Sequence, residues 1–437
     1  YVFYGWWDWR FLALIFLSTF VDFSIGLKIF NSNNVIKKKI FLSISVLLNL
    51  ALLGFFKYFN FFIDSWMNFL SSLGYENYSY WSLNIILPVG ISFYTFQTMS
   101  YSLDIYYEKL KPTKDFISFA TFVCFFPQLV AGPIERASKL LPQILNIRIF
   151  NYTQSVQGLR LILWGMFKKV VIADSLGHRV DFIFDNYTTL DSVTLILGLI
   201  YFAFQIYCDF SGYSDIAIGT SKLFGIELMS NFNFPYFSRN ISEFWKRWHI
   251  SLSSWFKDYV YIPLGGSKKS TISSVRNIFI IFTVSGFWHG ANWTFIVWGI
   301  IHSLFYIPLF LVEHKNKTGK NIVAHSTQLP SLKEFFQICT TFIITTSAWV
   351  FFRSDSVYDA FNYMYKIFEK PSFSLIHTSG LIFVSLILFF DWLSRGRERS
   401  PINYKNKYLR WLTYFFIYNS IVYFYDNQSV SFIYFQF

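Results

Sequence analysis

Apolar runs of about 20 residues recur along this chain, separated by short stretches that hold most of its charge. That is the length an α-helix needs to cross the roughly 30 Å hydrocarbon core of a bilayer. Inside that core every backbone amide must be bonded within its own helix or a closed barrel. The runs fall at 11–29, 40–63, 85–106, 117–130, 158–174, 194–210, 277–288, 293–312, 335–352, 380–393 and 409–425. Two of them, 117–130 and 277–288, are short and read as re-entrant or tilted. Pro88, Pro127, Pro133 and Pro263 interrupt the pattern. Broken backbone at membrane depth survives only where protein covers it or where it lines a water-filled cavity. The expectation is an all-α polytopic membrane protein, with roughly 10–11 membrane or re-entrant helices enclosing a cavity. Residues 1–437 are read as one integral membrane domain. The chain starts at Tyr1 without an initiator Met, so the native N-terminus is expected to lie upstream.

Composition excludes the main competitors. Charged residues are 14% of the 437, against about 25% in soluble domains. Hydrophobic residues make up 54%, too many for a disordered chain. The aromatic share is 23%, and part of it fits the Phe, Ile, Asn, Lys and Tyr bias of an AT-rich genome. A net charge of +12 suggests nucleic acid in a soluble protein, but here the basic residues cluster between apolar runs, which is the positive-inside pattern. Nucleic-acid binding is set aside on that ground. Cys124, Cys208 and Cys339 are far apart and suit neither a metal nor a disulfide framework, so no metal is expected.

Charge also sets the topology. Lys28 with Lys37, Lys38 and Lys39 marks a cytoplasmic loop, as do Lys109, Lys111 and Lys114. Lys268, Lys269 and Arg276 read the same way, as do Lys315, Lys317 and Lys320. The densest cluster is Arg395, Arg397, Arg399, Lys405, Lys407 and Arg410. The connection from Asp64 to Asn84 has Asp64 and Glu76 but no Lys or Arg, and reads as external. One span follows the last cluster, which puts Tyr434 outside or in a cavity open to the outside.

Three stretches are wrong for plain membrane helices. The first, Gln205 to Asp215, places Asp209, Ser211, Tyr213 and Asp215 just beyond an apolar run. Ionisable groups at that depth need partners or water. They read either as the polar wall of a cavity or as a helix end capped by Asp209 or Asp215. The second, Glu243 to Gly266, puts Glu243 and Arg247 at i,i+4, where they can pair on a helix. Trp245 and His249 share that spacing and would share a face. Most aromatics here fit an interfacial amphipathic helix, whereas the imidazole of His249 among tryptophans needs polar partners. The third is Ser285-Gly-Phe-Trp-His-Gly-Ala-Asn-Trp293, between two apolar runs and far from any basic residue. With both flanking loops cytoplasmic, His289 sits at the turn of a membrane hairpin. Histidine there suits proton transfer near neutral pH. His302 is left between a cavity role and a packing role.

Several of these segments together resemble the membrane-bound O-acyltransferases. The resemblance is carried by Val89-Gly-Ile-Ser-Phe-Tyr-Thr-Phe-Gln97, Phe125-Phe-Pro-Gln-Leu-Val-Ala-Gly-Pro-Ile134, the 209–215 and 245–266 segments, Trp288-His-Gly290 and the terminal Phe432-Ile-Tyr-Phe-Gln-Phe437. It spans nearly the whole chain, and the nearest branch is that of bacterial alginate and peptidoglycan O-acetylation proteins. The resemblance implies a helical fold with a narrow central channel and acetyl-CoA as the cytoplasmic donor. It implies His289 as the family's invariant histidine and His249 as its second. It also implies an external partner acyltransferase of the Ser-His-Asp type and a bacterial cytoplasmic membrane location. Tyr434 is similar to the tyrosine of the Phe/Tyr-rich motif that ends the partner peptide of related D-alanylation systems, and reads either as an acyl carrier or as one more interfacial aromatic on a tail. Trp288, Trp293, Asn292 and His249 are candidate donors to a reaction oxyanion. Asp209, Ser211, Tyr213, Asp215 and Arg247 are candidate substrate contacts. One departure is Ser303 after His302, where relatives are expected to have Gly. The expected activity is acetyl transfer to an extracytoplasmic polysaccharide, foremost peptidoglycan. Alginate or another exopolysaccharide, D-alanyl transfer to teichoic acid, a polytopic transporter and a non-catalytic scaffold are the alternatives.

Overall fold

The computed structural model describes all residues except 76–82, 84, 269, 314–321, 325–326, 370, 372–375, 398, 400, 426–431 and 434–437. Glu76, Asn84, Lys269, Lys315, Lys317, Lys320 and Tyr434 therefore lie outside the described residues. The described residues form helices and no strand, as a multi-pass membrane protein requires. Six helical stretches are long and apolar enough to cross a bilayer: Trp9–Asn31, Val35–Ser72, Ser192–Leu223, Thr271–His289, Trp293–Val312 and Leu332–Arg353. Side chains such as Leu47, Ile343, Leu412 and Phe415 stand more than half exposed, the exterior expected of a protein solvated by lipid. The chain divides into two compact units, residues 1–150 with 226–228, and residues 151–225 with 229–437.

The first unit packs α1 (Leu12–Asn31), α2 (Val35–Leu53), α3 (Phe59–Ser72), α4 (Ile91–Tyr106) and α5 (Phe116–Val123). Asp22 of α1 is fully buried and accepts from Ser45, from Asn49 at 2.8 Å and from Ser102 at 3.2 Å, tying α1, α2 and α4 together. The two N-terminal motifs meet. Gln97 donates to the carbonyl of Phe122 at 2.6 Å and accepts from Gln128 at 2.8 Å. Pro127 opens a four-residue helix, Phe126–Leu129, so the 117–130 run is broken as its length and proline predict. The 40–63 run is longer than expected. A π-helical turn, Gly54–Tyr58, carries the helix on to Ser72. Asp64, Asn68 and Ser71 recur at helical spacing and form a polar stripe, which reads as a loop when taken residue by residue.

The second unit is organised on α8. It contains α6 (Tyr152–Met166), a π-helical turn at Phe167–Ala173, α7 (Asp174–Asp185) and α8 (Ser192–Leu223). Then come α9 (Ile241–Trp245), α10 (Ile250–Phe256), α11 (Thr271–His289) and α12 (Trp293–Glu313). α13 (Leu332–Arg353), α14 (Val357–Glu369), α15 (Leu381–Ser394) and α16 (Lys407–Phe424) complete it. Asp191 caps α8 by accepting from the amides of Val193 and Thr194. At 32 residues α8 is about 48 Å long at 1.5 Å per residue, well beyond the hydrocarbon thickness. It runs unbroken through Asp209–Asp215, so these residues are mid-helix and do not cap a new one. Two glycine pairs let α6 lie against it. A Cβ on Gly212 would stand 2.8 Å from the carbonyl oxygen of Gly165, and one on Gly219 2.5 Å from that of Gly158.

α11 corrects the reading of 277–288 as a short segment. It has 19 residues, because Ser270 caps it and the polar turn Thr271–Arg276 belongs to the helix. α11 and α12 form the expected hairpin, and glycines again set their separation. A Cβ on Gly286 would lie 2.2 Å from the carbonyl oxygen of Phe295, and one on Gly299 2.3 Å from that of Phe282. Gly286→Val is therefore expected to abolish monodisperse protein in detergent gel filtration. Gly54→Ala, where no atom lies within 4 Å of the added Cβ, should elute and melt like the parent.

Candidate active site

His289 is the last residue of α11, and Gly290 leaves the helix in an extended conformation. Asn292 shapes the turn. Its Oδ1 accepts from the amide of Thr294 at 3.0 Å, and its Nδ2 donates to the carbonyl of Asp355 at 2.8 Å. The His289 ring is 4% exposed and is walled by aromatics. Ring centroids lie 5.0 Å away at Trp288, 5.3 Å at Trp298 and 5.3 Å at Phe352. His249 approaches from the other side, 6.4 Å between ring centroids.

His249 reaches that position through a break in the helix. α9 ends at Trp245 and α10 begins at Ile250, with His249 between them at φ 41°. A left-handed conformation is costly for a residue with a Cβ and persists only where the surroundings over-determine it. Here they do. Asn233 N–H donates to the carbonyl of Arg247 at 3.0 Å, and Ile250 N–H to that of Asn231 at 2.9 Å. Asn231 Oδ1 accepts from the Ser251 hydroxyl at 2.6 Å. Glu243 holds Arg247 at 2.9 Å, the expected i,i+4 pair, and Arg239 at 3.0 Å. Burial alone would raise the Glu243 carboxyl, but the hydrogen bonds from Arg239 and the charges of both arginines outweigh it and hold it below its ordinary value. The break overturns the expectation that Trp245 and His249 share one helix face. It also moves the aromatics of this segment from the interface to the core, with Trp245 and Trp248 both buried.

A layer of rings continues behind the two histidines. His302 is fully buried, 4.8 Å from Trp298 and 4.9 Å from Trp245. Among the described residues neither nitrogen of His302 has a hydrogen-bond partner, nor do the indole N–H groups of Trp245 and Trp298. Trp245, Phe282 and Tyr306 also line a cavity of about 450 Å³, with Lys246 and Lys257 among its walls. Trp298, Trp349 and Phe352 went unremarked in the sequence, since an aromatic in an apolar run carries no mark of the ring it will touch.

The polar residues of α8 are engaged by two adjacent lysines on the π-helical turn. Lys168 lies 2.7 Å from Asp215 and donates to Ser211 at 2.9 Å. Lys169 lies 2.8 Å from both Asp209 and Asp174. Tyr207 donates to Asp391 of α15 at 2.8 Å. The sequence reading passed over Lys168, Lys169 and Asp391, although two lysines inside the 158–174 run are themselves a signal of buried partners. Of the residues singled out in the sequence, His249, His289 and Trp288 come together. Asn292 and Arg247 are held in structural bonds. Trp293 is 54% exposed. Tyr213 packs at a tilt against Phe432, 5.1 Å between ring centroids, and Tyr434 lies outside the described residues. Among the described residues no group of three His, Cys, Asp or Glu side chains is placed to hold a metal ion.

The fold is that of a helical integral-membrane protein that buries two histidines 6.4 Å apart between ring centroids. Comparison gives the family. The model for the membrane-bound O-acyltransferase family matches residues 107–312, which include His249 and His289. The peptidoglycan O-acetyltransferase of Helicobacter pylori is 36% identical, over 86% of this chain and 74% of that protein. A probable alginate O-acetylase, AlgI, of Pseudomonas aeruginosa is 38% identical, over 86% of this chain and 69% of that one. The teichoic acid D-alanyltransferase of Bacillus subtilis is 30% identical, over 60% of this chain and 69% of its own. This chain belongs to the membrane-bound O-acyltransferase family, and it is an O-acyltransferase.

The lysine pairs yield a stability test. Lys168→Met removes the cation 2.7 Å from the Asp215 carboxylate, at a cost on the order of 3 kcal/mol. The variant should melt well below the parent in detergent, and adding Asp215→Asn should recover part of the loss, read as coupling in a double-mutant cycle.

Proposed function

We propose that this enzyme takes acetyl from acetyl-CoA on the cytoplasmic side of a bacterial cytoplasmic membrane and passes it to a hydroxyl on the external side. The end product is an O-acetylated extracytoplasmic polysaccharide, foremost peptidoglycan. The observation that carries the reading is the pair of buried histidines, 6.4 Å apart between ring centroids, at the turn of a membrane hairpin. The names of the peptidoglycan and alginate relatives support acetyl over D-alanyl, since the D-alanyltransferase match is lower in identity and covers less of the chain. The AT-rich residue usage supports peptidoglycan over alginate. Alginate remains the second reading, because its acetylase is as similar as the peptidoglycan enzyme.

In this mechanism His289 takes the proton of the acceptor hydroxyl as its oxygen attacks the thioester carbonyl carbon. The tetrahedral oxyanion then collapses and the C–S bond breaks. Protonated His289 returns the proton to the departing thiolate, so ester and free thiol form with no net proton change. Oxyanion donors come from His249 and the Trp288 indole, and the unshared N–H of Trp298 is a further source. The acceptor is the Tyr434 phenol. Its acetyl ester is attacked next by the serine of an external Ser-His-Asp partner acyltransferase, which frees the phenol and modifies the polymer.

His289→Ala should fold as the parent does and lose on the order of 10²–10⁴-fold in transfer of label from [acetyl]-CoA in membrane vesicles. Undiminished transfer rejects the base assignment. Mass spectrometry of the C-terminal peptide under turnover should find an acetylated Tyr434. Its absence, with Tyr434→Phe fully active, rejects the carrier.

A further inference from the structure

The C-terminal segment is held by a backbone contact deep in the second unit. Asp209, 2% exposed in the middle of α8, faces Lys169 with one oxygen at 2.8 Å. Its other oxygen accepts the backbone N–H of Ile433 at 2.8 Å, from 224 residues further along the chain. Ile433 is 1% exposed and Phe432 is 8% exposed. The Phe432 ring lies 5.1 Å from Tyr213 and 6.4 Å from Phe210. Phe210 in turn lies 4.7 Å from His249, so two ring contacts join the tail to the candidate active site.

We propose that the Lys169–Asp209 pair is a latch for the C-terminal segment: Asp209 holds the Ile433 N–H and so anchors the point from which the chain continues to Tyr434. Three features point the same way. First, a carboxylate at this depth needs neutralising, which Lys169 does with one oxygen and thereby leaves the second for another donor. Second, the second donor is a main-chain group, which fixes the register of the chain whatever side chain stands at 433. A carboxylate–amide bond of this kind is charge-assisted and stronger than a neutral one. Third, the aromatic side chain before it packs against Tyr213 and Phe210, so the segment is held at two successive residues. Asp209 is thus a positioning residue. It acts on the tail, and the role of Tyr434 as carrier rests on the function proposed above.

The test separates the latch from the carrier. Purified full-length protein in detergent is digested with carboxypeptidase and followed by intact mass. In the parent, digestion should not pass Ile433. Asp209→Leu should let it run at least tenfold faster past residue 432, while Asp209→Asn, whose amide oxygen still accepts the N–H, should restore most of the protection. Ile433→Pro deletes the donor without touching the buried pair; proline itself resists carboxypeptidases, so this variant is read by acetyl transfer, which should fall at least tenfold. Acetyl transfer should fall in the same order, and loss of transfer without release of the tail would mark Asp209 as merely structural. Unchanged acetyl transfer in Ile433→Pro, with Tyr434→Phe inactive, overturns the latch, whether or not Asp209→Leu folds. An active Tyr434→Phe enzyme with normal latch behaviour overturns only the carrier.

Discussion

Carboxylates buried in the middle of an apolar protein must be met by cations, and the second unit is arranged around that demand. Asp209 and Asp215 lie six residues apart on α8, and Lys168 and Lys169 meet them from a neighbouring π-helical turn. An α-helical turn points successive side chains about 100° apart. The extra residue of a π-turn changes that direction and is often found at functional positions. The lysines arrive only because α6 lies close to α8, and α6 lies close because glycine faces glycine at two levels. Close packing, charge pairing and the seat of the C-terminal segment are therefore one arrangement.

Rigidity around the two histidines has a different origin. Trp288, Trp298 and Phe352 meet His289 edge to face and Trp298 stacks on Trp349, with little rotamer freedom to lose. His249 adds a strained backbone, held by the Asn231 and Asn233 bonds and by the Glu243 carboxylate with its two arginines. Such a wall leaves the His289 ring only 4% exposed and fixes its place beside His249.

Periodicity and charge made much of this legible. The hairpin that ends in His289 follows from two apolar runs with basic residues at their outer ends. The Glu243–Arg247 pair follows from i,i+4 spacing. Where the sequence misled, the reason was local. Polar residues on α3 read as a connection, and those in the middle of α8 as a cavity wall or a helix end, because a helix that buries or stripes its polar groups has no one-dimensional mark of continuing. The 243–256 segment was read as one helix, since nothing in Trp-His-Ile announces a left-handed residue.

By itself the sequence determined the class of protein. Bilayer thickness dictates segment length, the desolvation of the peptide group dictates helix, and the distribution of Lys and Arg dictates orientation. It also determined which few residues had chemistry to offer, because histidine and aspartate are too expensive at that depth to be filler. Only the tertiary structure decided which of them meet. It put His249 beside His289 and left Trp293 outside. It gave Asp209 to Lys169 and to the Ile433 amide. Those pairings join positions 40 to 224 residues apart, and they depend on helix separation and on a single positive φ. Neither quantity is written in the spacing of residues along the chain.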